Sequence, residues 1–138
     1  MTINEMSATD FVQAVLGEEF SEEFKKVRPY QFMFESASHL VYFQNFDKPS
    51  DKLWYRITAK PRNLLRSSDK IAWICLTNPP DRNAYLLPVK DIEKQANVSK
   101  WTRPNLEINI DYLHHVWREL NWNLVKYLKN YRCSCLRL

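Results

Sequence analysis

Ile71-Ala-Trp-Ile-Cys-Leu-Thr77, then Asn78-Pro-Pro-Asp-Arg-Asn83 and Ala84-Tyr-Leu-Leu-Pro-Val89, is the stretch that decides the fold. Its first segment is nearly all apolar and does not alternate, which predicts a central strand covered on both faces, with Cys75 as a small core residue. The two prolines fix turn dihedrals after Asn78, and Ala84 to Val89 can return as the antiparallel partner.

Working upstream, Leu53-Trp-Tyr-Arg-Ile-Thr58 alternates strictly and predicts a third strand, bounded by the turn Lys48-Pro-Ser-Asp51 and by Lys60-Pro61. Gln31 to Glu35 and His39 to Asn45 read as a hairpin about Ser36-Ala37-Ser38. Arg62 to Asp69 reads as a loop or one helical turn. Ser7-Ala-Thr-Asp10 has capping-box spacing, and Phe11, Val12, Val15, Leu16, Phe20, Phe24 and Val27 follow at helical intervals. This predicts an amphipathic N-terminal helix that Gly17 divides. Downstream, Lys90 to Asn97 reads as a short helix. Leu106, Ile108 and Ile110 alternate with Glu107, Asn109 and Asp111, giving a strand with one wet face. Leu113, Val116, Trp117, Leu120, Leu124, Tyr127, Leu128 and Tyr131 fall on one stripe of a C-terminal helix.

The expected fold is therefore α+β: a mainly antiparallel five- to six-stranded sheet flanked by an N-terminal and a C-terminal helix. One domain spans 1–138, with an acidic helical segment at 1–27, a sheet core at 31–111, a C-terminal helix at 112–131 and a frayed tail at 132–138. At 138 residues and 45% hydrophobic, the chain can bury one core. No apolar run approaches the roughly 20 residues that span a bilayer. The acidic start is unlike a signal peptide, so a soluble, cytoplasmic protein without membrane partners is expected. A single glycine, Gly17, excludes Gly-rich phosphate loops, dinucleotide fingerprints and the nucleophile elbow.

The net charge of +4 hides an asymmetry: residues 1–24 hold six acids and no Lys or Arg, leaving ten acids against twenty bases beyond them. Such a field attracts polyanions. The densest basic stretch holds Lys48, Lys52, Arg56, Lys60, Arg62, Arg66 and Lys70 against Asp51 and Asp69. On the third strand, alternation puts Lys52, Trp54 and Arg56 on one face and Leu53, Tyr55 and Ile57 on the other. Cations interrupted by an indole suit a surface that neutralises phosphates and stacks a base. The same pattern also describes a solvated face whose cationic stems cover Trp54. A second basic row, Arg118, Trp122, Lys126 and Lys129, shares one face of the expected C-terminal helix unless Asn121-Trp-Asn123 breaks it.

Other chemistry is thinner. Glu23-Phe-Lys25 has the acid-x-lysine spacing of restriction-type nucleases, with Asp10 upstream, but on a helical pattern where that motif needs a strand. Glu107-Ile-Asn109 lacks the lysine, while Asp91, Glu93 and Asp111 need a fold to recruit them. His39 could meet Tyr55 and Arg56 for metal-free RNA cleavage, and His114-His115 opens the last helix. Cys133 and Cys135 lack the spacing of zinc ligands, so no metal site is expected.

The expected function is nucleic-acid binding, DNA before RNA, with Lys52, Arg56, Lys60, Arg62 and Arg66 on phosphates and Trp54 under a base or sugar. No cofactor is expected. A small nuclease, which would bring Mg2+, is one alternative. The other is an interaction or oligomerising subunit, with a protein partner or a second copy meeting Trp54, Trp101 and Trp122.

Overall fold

The computed structural model describes residues 12–46, 51–78, 83–96 and 104–130. Among them the chain is mixed α+β, with ten strands in two sheets and three α-helices. Numbered in chain order, β1 (Lys25–Lys26), β2 (Met33–Glu35), β3 (His39–Asn45), β5 (Ile71–Asn78), β6 (Asn83–Pro88) and β10 (Leu128–Asn130) form a six-stranded sheet in the order β1-β2-β3-β5-β6-β10. The strands β4 (Lys52–Thr58), β7 (Asn105–Asp111), β8 (Val116–Trp117) and β9 (Trp122–Asn123) form a second sheet of four in that order.

The apolar run is central, as its pattern predicts. Strand β5 lies parallel to β3 and antiparallel to β6, with Ile74 opposite Tyr42 on one side and Leu87 on the other. Its two faces feed two cores. Met33, Leu40, Tyr42, Ile74, Leu76, Tyr85 and Leu87 pack against Leu53, Tyr55, Ile57, Leu106, Ile108 and Ile110 of the second sheet. Phe34, Val41, Phe43, Cys75, Ala84 and Leu86 pack under Val12, Leu16 and Phe24. Each buried Leu, Ile, Val, Phe or Met among them contributes about 1.5–3 kcal/mol of transfer free energy, so the double coverage is where the stability resides. Cys75 is fully buried and unpaired, and burial pushes its thiol far up, leaving it inert.

Four expectations are corrected. The single sheet is two, because the alternating strands β4 and β7 each have one apolar face and pair with each other. The N-terminal helix ends early: among the described residues a π-helical turn, Val12–Leu16, runs into α1 (Gly17–Phe20) and stops at Ser21, whose φ of 55° is left-handed. Gly17 divides nothing, and beyond Ser21 the chain becomes β1, with Lys25 opposite Glu35. The capping box at Ser7 to Asp10 lies outside the described residues.

The segment after β4 is not a loop but α2 (Ala59–Ser67). Pro61 sits in its first turn, where a missing N–H costs nothing, and Pro61, Arg62 and Leu65 turn inward together. The short helix downstream is α3 (Val89–Gln95).

Among the described residues no C-terminal helix forms. In its place come β8, β9, two 3-10 turns and β10. His115 and Asn121 take left-handed φ values of 58° and 48°, which end any helical run. Trp117 and Trp122 lie opposite each other in the β8–β9 pair with ring centroids 5.9 Å apart, both buried. On a helix, five residues would set these indoles about 140° apart. Burying both favours the hairpin. The turns at Lys48 and Pro79, with Trp101, Tyr131, Cys133 and Cys135, lie outside the described residues. None of the described helices is long and apolar enough to cross a membrane.

Candidate nucleic-acid interface

Strand β4 presents the face its alternation predicts. Leu53, Tyr55 and Ile57 are buried, while Lys52, Trp54, Arg56 and Thr58 are exposed, Trp54 at 43%. The indole is fixed rather than loose. Trp54 Nε1 donates to Glu107 Oε2 at 2.7 Å, Arg56 Nε donates to Glu107 Oε1 at 3.2 Å, and the Arg56 guanidinium carbon lies 5.0 Å from the indole centroid. Glu107 thus holds both members of a cation–π pair from across the sheet. With both ions about half exposed, the ion pair itself contributes little, roughly 0–1 kcal/mol.

The register changes the electrostatics of the row. Arg56 stands opposite Glu107, Trp54 opposite Asn109 and Lys52 opposite Asp111. Every cation on this face therefore has a carboxylate as its cross-strand neighbour, and Glu119 adds another by accepting from the backbone N–H and side-chain amide of Asn109. Asp111 also binds His114, and that hydrogen bond holds its carboxyl below the usual range. The outer face of β4 and β7 is a polar platform around one indole, close to electroneutral, rather than a cationic stripe.

The other candidate cations separate. Lys60 is exposed in the first turn of α2. Arg62 is only 2% exposed, and burial lowers its guanidinium pKa, so the phosphate contact expected of it is corrected: the side chain faces the interior. Arg66 is exposed and lines a cleft of about 360 Å³ with Lys70 and Lys90, where Asp69 and Glu93 offset two of the three cations. The second basic row is dispersed: Trp122 is buried against Tyr127, Lys126 lies over the Tyr127 ring, and Lys129 pairs with Glu19 at 3.5 Å.

Glu22, Glu23 and Glu35 line a cleft of about 460 Å³ with Lys25 and Lys70. These are the components a nuclease would need, but Glu22, Glu35 and Lys70 are committed to one another's surroundings. Glu22 accepts from Ser36 Oγ and from the backbone N–H and Oγ of Ser38, while Lys70 donates to Glu35 Oε2 and to the Ser36 carbonyl. Among the described residues no group of three or more His, Cys, Asp or Glu side chains could hold a metal ion.

His39 does not meet Tyr55 or Arg56. Its Nδ1 accepts from Trp73 Nε1 at 3.0 Å and its ring stacks on Phe20. The histidine that does meet tyrosines is His115, 2.5 Å from the Tyr85 hydroxyl and edge-on to Tyr112, which in turn accepts from Asn83. Only the hairpin after β7 creates this cluster, so the helical reading of Leu113 to Tyr131 concealed it. Compared with protein-family models, with curated proteins and with solved structures, the chain shows no match.

Proposed function

We propose that the chain binds nucleic acid, DNA in the first instance, by stacking a base on Trp54 at the outer face of β4 and β7. The supporting observation is the exposed indole, held by Glu107 and Arg56 on an otherwise polar sheet face. A preoriented aromatic ring loses little side-chain entropy on stacking, and Asn109 and Glu107 offer hydrogen-bonding edges beside it. Because Lys52 and Arg56 face carboxylates, this platform suits bases of a single strand better than the phosphates of a duplex. Lys52, Lys60 and Arg66 remain as the candidate phosphate contacts.

The test is a salt titration of fluorescence anisotropy with single-stranded and duplex probes. Three phosphate contacts on a single strand predict a log–log slope near −2, from about −0.7 per contact. Trp54→Ala should weaken single-strand binding by about 1–3 kcal/mol with the slope unchanged, since stacking is nearly independent of salt. Absence of binding at low salt, or binding indifferent to Trp54→Ala, would remove this function.

A further inference from the structure

We infer that the outer edge of β4 pairs with the same edge of a second copy of this chain, antiparallel about a two-fold axis at Tyr55, so that the two smaller sheets become one continuous sheet. Strand β4 is terminal in its sheet, and among the described residues β7 alone pairs with it, along all seven of its residues. An edge of that length presents a row of backbone donors and acceptors, which proteins ordinarily blunt with short strands, charged side chains, prolines, bulges or inward charges, and of these β4 carries only the outward cations Lys52 and Arg56. The other sheet is protected in this way: its edge strand β1 is two residues long, both lysines. Strand β4 has no proline or glycine, and its inward positions Leu53, Tyr55 and Ile57 are all apolar.

The occupant follows from register. In antiparallel self-pairing the core-facing residues must oppose core-facing residues, which leaves axes at Trp54, Tyr55 or Arg56 as the central choices. An axis at Trp54 sets Lys52 against the partner's Arg56, and an axis at Arg56 sets Arg56 against itself. Both oppose like charges, which is destabilising. The axis at Tyr55 sets Trp54 against the partner's Arg56, Lys52 against the partner's Thr58 and Leu53 against the partner's Ile57. It uses the whole strand and repeats across the interface the Arg56-on-Trp54 contact already made at 5.0 Å within the chain. The contact is isologous, so it closes as a dimer instead of propagating. One strand pair covers less than a standard interface of about 1,600 Å², so association is concentration-dependent. The two Trp54 indoles would then lie diagonally across the seam on one face, but the inference rests on the strand edge and not on the nucleic-acid reading.

Sedimentation velocity of the full chain over a concentration series, without nucleic acid, tests it, with Thr58→Glu and Thr58→Lys as variants. Thr58 is exposed and makes no side-chain cap bond to α2, so both variants should fold. The wild type should show a reversible monomer–dimer equilibrium. Thr58→Glu, facing the partner's Lys52 twice per dimer, should lower the dissociation constant roughly two- to thirtyfold, and Thr58→Lys should raise it by a similar factor. High salt should erase the difference. A chain that stays monomeric at millimolar concentration, or variants that shift the same way, would overturn the inference. Either result would leave single-strand stacking on Trp54 as a separate outcome of the anisotropy titration.

Discussion

Alkaline pH should unfold this protein steeply, because several of its tyrosines are held neutral by the fold. Tyr55 is 2% exposed and Tyr85 1%, and burial is the first cause of a phenol pKa well above 10.0 in each. Burial also raises Tyr42, and burial with the Asp91 hydrogen bond pushes Tyr127 up to about 12. Tyr55 joins the two sheets: its hydroxyl donates to the Thr77 carbonyl at 2.9 Å inside the shared core. Above pH 10 the unfolded chain releases these phenolic protons and the folded chain keeps them. Stability is therefore complete below pH 10 and falls as the pH rises through the folded values. Each retained proton contributes a slope of about 1.4 kcal/mol per pH unit, so stability falls by roughly that much per pH unit for every phenol that the fold still holds neutral above pH 10. The whole stability of a small domain is only about 5–15 kcal/mol, so such slopes matter. Urea unfolding at a series of pH values gives the slope, and tyrosinate absorbance reports when the phenols ionise. Tyr55→Phe should reduce the slope by about 1.4 kcal/mol per pH unit. At neutral pH it should cost only about 0.5–1.5 kcal/mol, since the Thr77 carbonyl keeps the Phe46 amide at 3.1 Å. Ordinary titration of all the tyrosines near pH 10 in a still-folded protein would refute the reasoning, as would an unchanged slope in Tyr55→Phe.

Leu124 is fully buried in the core between the sheets, so Leu124→Ala should cost about 2–5 kcal/mol in chemical denaturation, and a loss under about 0.5 kcal/mol would mean the C-terminal hairpin is peripheral. Hydrogen bonds from Ser36 and Ser38 hold the Glu22 carboxyl below its ordinary 4.5, so its contribution is present above that pH and is lost as the pH falls through the folded value. Melting temperatures between about pH 6 and about pH 3 should therefore fall less steeply in Glu22→Gln than in the wild type, and parallel curves would show that the Ser36–Ser38 turn does not depend on that charge.

What the sequence made legible was whatever depends on neighbours along the chain. The uninterrupted run at Ile71 to Thr77 announced a central strand, which is covered on both faces from Ile74 onward while Ile71 is exposed, and the alternation of Leu53 to Thr58 correctly divided Lys52, Trp54 and Arg56 from Leu53, Tyr55 and Ile57. The C-terminal stripe misled because Leu113 to Tyr131 is compatible with a helix in spacing alone. The choice was made by left-handed residues at His115 and Asn121 and by two indoles that a hairpin buries together. Proline punctuation misled at Pro61 for a similar reason, since the residue that ends a strand also suits the first turn of the helix that follows. The site was legible only in one dimension. A count of bases from Lys48 to Lys70 shows charge along β4, whereas the field of a sheet is set across its strands, by the Glu107 and Asp111 carboxylates some fifty residues away in sequence and directly opposite in space. Turned outward, the same cross-strand rule makes the far edge of β4 selective. A strand whose cations are already answered on one side by β7 can accept a second copy on the other only in the register that keeps Lys52 and Arg56 from opposing each other.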